Sequence, residues 1–242
     1  MQIKLTILVL VQPYIRYEIL MRMSSELTEI ILLSLKVSGT ALLFSTLVGI
    51  PLGALMGLSR FIGRRVVIAL LYTGMGFPPV VIGLFVYLLL SRSGPLGQTN
   101  LAWLPALFTP GAMILAQTII AFPLVAGFTM AAVLGVNPNL HQQVLSLGAT
   151  KRQAALTILM EARVGVIVSI VAGFGSIISE VGAVMLVGGN IEGRTRVLTT
   201  AIVLETRKGN FDLALALGFV LLGIAFVTNL AMLRLQGRSF NE

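Results

Sequence analysis

The sequence predicts an all-α polytopic membrane protein, and three observations carry that reading. Apolar residues make up 57% of the chain and charged residues 11%, against roughly 45–50% and about 25% in ordinary soluble domains. Five stretches are long and apolar enough to cross a bilayer, which takes about 20 residues of helix. The connections between them are short, so no separate soluble domain fits.

Residues 1–26 come first. The run Ile3–Val11 is too short to cross a bilayer and contains Lys4. It has the basic start and short apolar core of a signal peptide, but no small-residue cleavage site follows. An amphipathic helix at the membrane surface is expected here, with a partial sixth span as the alternative. The transmembrane domain is then expected over 27–234 and a short tail over 235–242.

The five spans are expected at about Glu29–Gly57, Val66–Ser91, Gly111–Leu134, Val164–Gly188 and Phe211–Leu233. The first two are longer than necessary, which implies tilt or kinking. Pro51 and the pair Pro78-Pro79 are the expected kink sites, their freed carbonyls satisfied by neighbouring helices. Gly49, Gly53 and Gly57 share one face of the first span at four-residue spacing. That pattern permits close helix contact, inside one bundle or between subunits. Gly175, Ser179 and Ala183 form a similar small face in the fourth span.

Between the third and fourth spans a polar stretch over 137–161 specifies two short helices at a sharp corner. Asn137 suits an N-cap and Pro138 the first helical position. Leu140, Val144 and Leu147 recur at helical spacing. Gly148 fits the left-handed position just past a helix end. Thr150 with Gln153 reads as a capping box for the second helix, followed by apolar Ala154, Ile158 and Leu159. A helix–corner–helix between two spans offers a rigid surface to something in the water.

Glu180 stands out inside the fourth span. A carboxylate there is costly and normally faces a bundle interior or a water-filled cavity. It is either a pathway or gate residue, with Ser179 and Gly182 beside it, or a buried carboxylate bonded to its neighbours.

Several chemistries find no support. The absence of cysteine removes disulfides, thiolate metal sites and cysteine nucleophiles. Gly188–Thr195 has P-loop spacing, but a membrane span precedes it and Arg194 stands where lysine belongs. It reads as a glycine-rich turn leaving a helix. His141 is the only histidine and has no ligand cluster around it, so no metal site is expected. No serine–histidine–carboxylate set suggests a hydrolase.

The net charge of +8 is spread along the chain and suits contact with anionic lipid rather than nucleic acid. Five spans put the termini on opposite sides. One side carries Arg60, Arg64, Arg65, Lys151, Arg152, Arg163, Arg234 and Arg238. The other carries Lys4, Arg16, Arg22, Arg92, Arg194, Arg196, Arg207 and Lys208, with Lys36 near the start of the first span. The count is nearly tied, so the positive-inside rule alone gives no orientation. The compact turn over 60–65 hints that its side is cytoplasmic.

The corner resembles the signature loop of ABC-importer permeases, where Glu-Ala-Ala, three residues and glycine precede a second short helix. Gln142, Gln143 and Val144 stand at the Glu-Ala-Ala positions and Gly148-Ala149 at the glycine step. Ile158 matches, whereas the closing Leu-Pro of the pattern is Met160-Glu161 here. Over 32–233, and above all through 173–218, the chain is similar to the oxyanion branch of that family. Within it, residues 179–191 are most similar to tungstate-importer permeases, with molybdate and sulfate importers sharing much of the Gly188–Thr195 region.

The resemblance implies the type I ABC-importer permease arrangement and a second copy of the chain as partner. It implies two cytoplasmic ABC ATPases that bind ATP and magnesium, no cofactor on this chain, and an extracytoplasmic oxyanion-binding protein. Gln142, Gln143, Gly148, Ala149, Thr150, Lys151 and Arg152 would couple to the ATPase. Arg194, Arg196, Arg207 and Lys208 would receive the binding protein. The corner would be cytoplasmic, the N-terminus outside and the C-terminus inside. The expected function is therefore import of an oxyanion, tungstate first and molybdate or sulfate next, without bond chemistry on this chain. A membrane-embedded enzyme or scaffold is the reading from another class. The missing catalytic set opposes the enzyme, and the docking loop opposes a passive scaffold.

Overall fold

The computed structural model describes residues 2–59, 61–99, 101 and 103–236. Arg60, Arg238 and the tail from residue 237 lie outside the described residues, as do the side chains of Lys4, Arg16 and Arg22. The helices are α1 (Gln2–Leu58), α2 (Arg64–Met75), α3 (Pro79–Leu90), α4 (Pro110–Leu134) and α5 (Pro138–Ser146). They continue with α6 (Lys151–Glu161), α7 (Arg163–Ile178), α8 (Gly182–Gly188), α9 (Leu198–Arg207) and α10 (Phe211–Gln236).

Three helices are long and apolar enough to cross a membrane alone: Glu26–Leu58 within α1, Pro110–Leu134, and Phe211–Ala231 within α10. Among the described residues the number reaches five if each of two bent pairs is counted as one span, α2 with α3 at 102° and α6 with α7 at 66°. The first bend falls where the sequence places it. Pro78 caps α3 in an extended conformation and Pro79 opens the helix, because a residue before proline is pushed out of the helical region. Pro51 behaves differently, since α1 continues through it, as it does past residue 26.

The fourth span departs from expectation. Instead of one helix over Val164–Gly188, the chain breaks at Ser179–Val181 between α7 and α8. Two of the hydrogen bonds that hold this break come from α4 and α9, far away in sequence.

α4 is the central helix, with Ala112, Met113, Ala116, Ala121, Val125, Ala126 and Met130 all fully buried. α1 lies along it through the glycine face. A Cβ on Gly53 would collide with the Ala126 carbonyl oxygen, and one on Gly57 would lie 2.6 Å from Val133 Cγ1. The face is therefore spent on packing inside one subunit. α7 packs on the same central helix with Gly165 against Ala132, Gly173 against Val125, and a 3.0 Å hydroxyl bond between Ser169 and Thr129. This is not the small face expected from the sequence. Gly175 meets nothing, and Ala183, beyond the break, packs against Gly83 of α3. The break at Ser179–Val181 interrupts the helical phase that would have aligned Gly175, Ser179 and Ala183.

Candidate functional site

The corner is built by local chemistry. Asn137 Oδ1 accepts from the Asn139 amide at 2.9 Å, and Pro138 follows as the first helical residue. Gly148 takes φ +85°, a conformation that glycine adopts without steric cost. Thr150 and Gln153 form the reciprocal capping box, the Thr150 amide donating to Gln153 Oε1 at 2.8 Å.

The two short helices have different roles. α6 is anchored: Ala154 and Ile158 are buried, and Ile158 packs with Ala54 of α1, Val133 of α4 and Ala162. α5 has no buried residue. It presents Gln142 and Gln143 to the exterior, and Leu147 just past its end is 86% exposed. Gly148, Thr150, Lys151 and Arg152 are exposed and Ala149 is half-buried. A cavity of about 520 Å³ opens beside Gln143, lined also by Asn137, Leu140, Glu161 and Gly165. His141 lines a separate cavity with Arg64 and Asn137. Arg64 donates from Nε to the Met56 carbonyl at 2.8 Å and so closes the end of α1. The corner and the α1–α2 turn thus share one end of the molecule.

The break at Glu180 lies deeper in the bundle. Its half-buried carboxylate accepts from the Ala183 amide at 2.9 Å, satisfying a donor in the first turn of α8. Its carbonyl accepts from Thr199 Oγ1 at 2.9 Å. Gln117 of α4, 3% exposed, donates from Nε2 to the Ile177 carbonyl at 2.9 Å, one turn before the break. Gly182 sits where a Cβ would reach Val80 Cγ2 at 3.0 Å, so the break faces the first turn of α3. Ser179 is exposed and bonds back to the Gly175 carbonyl at 2.8 Å. The α2–α3 bend and the α7–α8 break therefore meet. Gln117 and Thr199 escaped the sequence reading; a glutamine inside a span was the available signal for the first.

The glycine-rich turn after α8 folds around Thr195. Its buried hydroxyl donates to the Gly188 carbonyl at 2.6 Å and accepts from the Ile191 amide at 2.9 Å. Gly189, Asn190 and Gly193 all take positive φ. The turn closes around this hydroxyl. Arg194 is exposed, whereas Arg196 is committed: it pairs with Glu26 at 2.8 Å and Glu192 at 3.4 Å. Lys208 pairs with Glu205 at 2.7 Å, and Arg207 is exposed. The Lys208 hydrogen bond holds the Glu205 carboxyl below the usual carboxylate range, helped by Asn210 and opposed by burial. These four cations gather at the end opposite the corner, two paired and two free of ion pairs among the described residues.

The chain belongs to the family of binding-protein-dependent transport system inner membrane components, whose pattern matches residues 49–240. It is a membrane transport subunit, not an enzyme. Among its relatives is the tungstate uptake system permease protein TupB of Peptoclostridium acidaminophilum, 41% identical over 90% of this chain and 94% of that protein. Another, named "Probable anion ABC transporter permease protein", comes from Haloferax volcanii and is 43% identical over 88% of this chain and 92% of its own length. The fold also matches the MetNI methionine ABC transporter, with a TM-score of 0.73 at 19% identity over 89% of this chain and 96% of that one.

Proposed function

We propose that this chain is the membrane-spanning permease subunit of an ATP-driven oxyanion importer, with tungstate as its cargo. The carrying observation is the 41% identity to a tungstate uptake permease over 90% of the chain. In this reading two copies enclose the pathway, two ABC ATPases bind ATP and magnesium on the cytoplasmic side, and an external binding protein delivers the anion. The chain itself holds no cofactor, and membrane lipid surrounds it.

α5, proud of the bundle, docks on the ATPase through Gln142 and Gln143, with Gly148, Ala149, Thr150, Lys151 and Arg152 forming the corner. ATP-driven closure moves that corner, and anchored α6 carries the motion into α7 as a two-state change of access. Glu180, Ser179 and Gly182 act at the gate, where break and bend meet. Arg194, Arg196, Arg207 and Lys208 form the end that receives the binding protein, Arg196 by shaping the loop.

The N-terminus lies outside and the C-terminus in the cytoplasm. What supports this orientation is the resemblance of the capped corner to a loop that faces the cytoplasmic ATPases, since the Lys and Arg count of the two ends is nearly tied.

The test is uptake by the assembled complex in proteoliposomes, with tungstate and molybdate counted in the same sample. ATP-dependent accumulation of tungstate is expected. Accumulation of molybdate alone moves the cargo within the branch, and no oxyanion uptake by an active ATPase complex overturns the reading.

A further inference from the structure

We propose that Lys36 and Arg194 form a binding subsite for the soluble oxyanion inside this chain, at the outer mouth of the membrane region. The inference rests on the importer reading above and adds a site to it.

Lys36 lies seven residues beyond Glu29 on α1, near the start of the first span and exposed. A cation there is drawn to a partner, to water or to the membrane interface. Lys36 has no carboxylate partner: the ion pairs among the described residues join Arg196 to Glu26 and Glu192, and Lys208 to Glu205. Arg194 is equally unpaired, and both residues line one cavity of about 310 Å³ between α1 and the glycine-rich turn.

Two carboxylates also line that cavity, and their placement decides its character. Glu26 pairs with Arg196 at 2.8 Å, a guanidinium it shares with Glu192. Glu29 stands seven residues before Lys36 on α1, about 10 Å nearer the surface. Lys36 and Arg194 are the cations of this lining that have no carboxylate partner among the described residues. One turn further in, a Cβ on Gly39 would meet nothing within 4 Å, so this chain leaves open the space beneath Lys36.

The donor chemistry suits a tetrahedral dianion. An ammonium offers three freely oriented donors, and a guanidinium offers a planar fork matched to two oxygens of one anion. Two unpaired cations attract its two charges, opposed by Glu29 in the same lining. A phospholipid headgroup shares the phosphate-like oxygens, so the test separates the two sources.

The test uses the purified permease–ATPase complex without binding protein, in nanodiscs of phosphatidylcholine, and measures tungstate binding by equilibrium dialysis. Saturable binding is expected, weakened at least about tenfold in Lys36→Met, the loss of one charge-assisted contact. Lys36→Arg should retain binding, and Arg194→Gln should weaken it several-fold. Equal binding by wild type and Lys36→Met overturns the subsite. So does binding that vanishes when phosphatidylglycerol is added while that lipid is retained through Lys36, which makes the ligand a headgroup. Should Lys36→Met fail to assemble, Arg194→Gln decides alone, and unweakened binding overturns the proposal. Uptake by the complete complex keeps the two readings apart. A wild-type complex that imports no oxyanion sinks the importer reading, whereas tungstate import undiminished by Lys36→Met sinks only the subsite.

Discussion

Thr199 donates its hydroxyl to the Glu180 carbonyl oxygen across 2.9 Å and so ties α9 to the break between α7 and α8. Gln117 holds the Ile177 carbonyl from the other side, at the same distance. A break inside a membrane bundle strands backbone carbonyls that lipid cannot satisfy. Here side chains from two other helices supply donors, beside the Glu180 amide, which donates to the Ile177 carbonyl at 3.3 Å.

Thr199→Val keeps the shape of the side chain and removes the donor. The substitution should cost about 1–2 kcal/mol, since a buried carbonyl loses its partner. Gln117→Leu should cost less, because the Ile177 carbonyl keeps the Glu180 amide at 3.3 Å and a buried Oε1 without a partner is removed. Thermal unfolding of the purified complex measures both, and an unchanged midpoint in each would show that the break is held by packing alone.

Glu180 carries the second prediction. Its carboxylate accepts from the Ala183 amide at 2.9 Å, a task that an amide oxygen can share. Glu180→Gln should therefore assemble and keep part of its transport, whereas Glu180→Leu should lose the first turn of α8 and most uptake. A fully active Glu180→Leu complex would remove Glu180 from the gate.

Gly148 isolates conformation from crowding. A Cβ there would meet nothing within 4 Å, yet φ is +85°, where a β-branched side chain is strained by roughly 1–3 kcal/mol. Gly148→Val should insert normally and lose transport through a displaced α5. Wild-type uptake and ATP turnover in that variant would rule out the coupling role.

The corner was legible because its determinants act within a few residues. Asn137, Pro138, Gly148, Thr150 and Gln153 each fix their own turn, and the sequence reading placed all of them. Pro78-Pro79 was legible for the same reason. The break at Glu180 was hidden because residues 164–188 are almost continuously apolar and its clamps come from Gln117, 60 residues before Ile177, and Thr199. Arg196 looked like any loop cation, since its partner Glu26 is 170 residues away. Helix phase failed with the break: packing on α4 falls to Gly165, Ser169 and Gly173.

Glu205 gives a pH signature. Its carboxyl is held below the ordinary carboxylate value chiefly by the Lys208 hydrogen bond. A lowered native pKa stabilises the fold fully above the unfolded value, and that contribution is lost as pH falls through the native one. Wild type should therefore lose stability against Glu205→Gln on acidification below about pH 5. Unfolding midpoints of both proteins across that range measure the difference; parallel curves would mean that the Lys208 pair contributes nothing.

The last prediction concerns selectivity. Tungstate and molybdate are tetrahedral dianions of nearly equal size, so a broad apolar pore can hardly tell them apart. Discrimination needs closely fitted donors that penalise a mismatch. The break offers few: Ser179 is engaged with the Gly175 carbonyl, and Thr199 with Glu180. In the proposed subsite, Lys36 and Arg194 would supply charge on flexible stems and attract either anion. The permease should thus be a weakly selective conduit, with the external binding protein choosing the cargo and the region Glu192–Lys208 receiving it. The measurement is a swap: this permease and its ATPase are paired with a molybdate-specific binding protein engineered to dock, and both metals are counted. Import of molybdate at a rate close to that of tungstate is expected. If docking and ATP turnover are intact and only tungstate enters, selectivity resides in these spans and the conduit model is wrong.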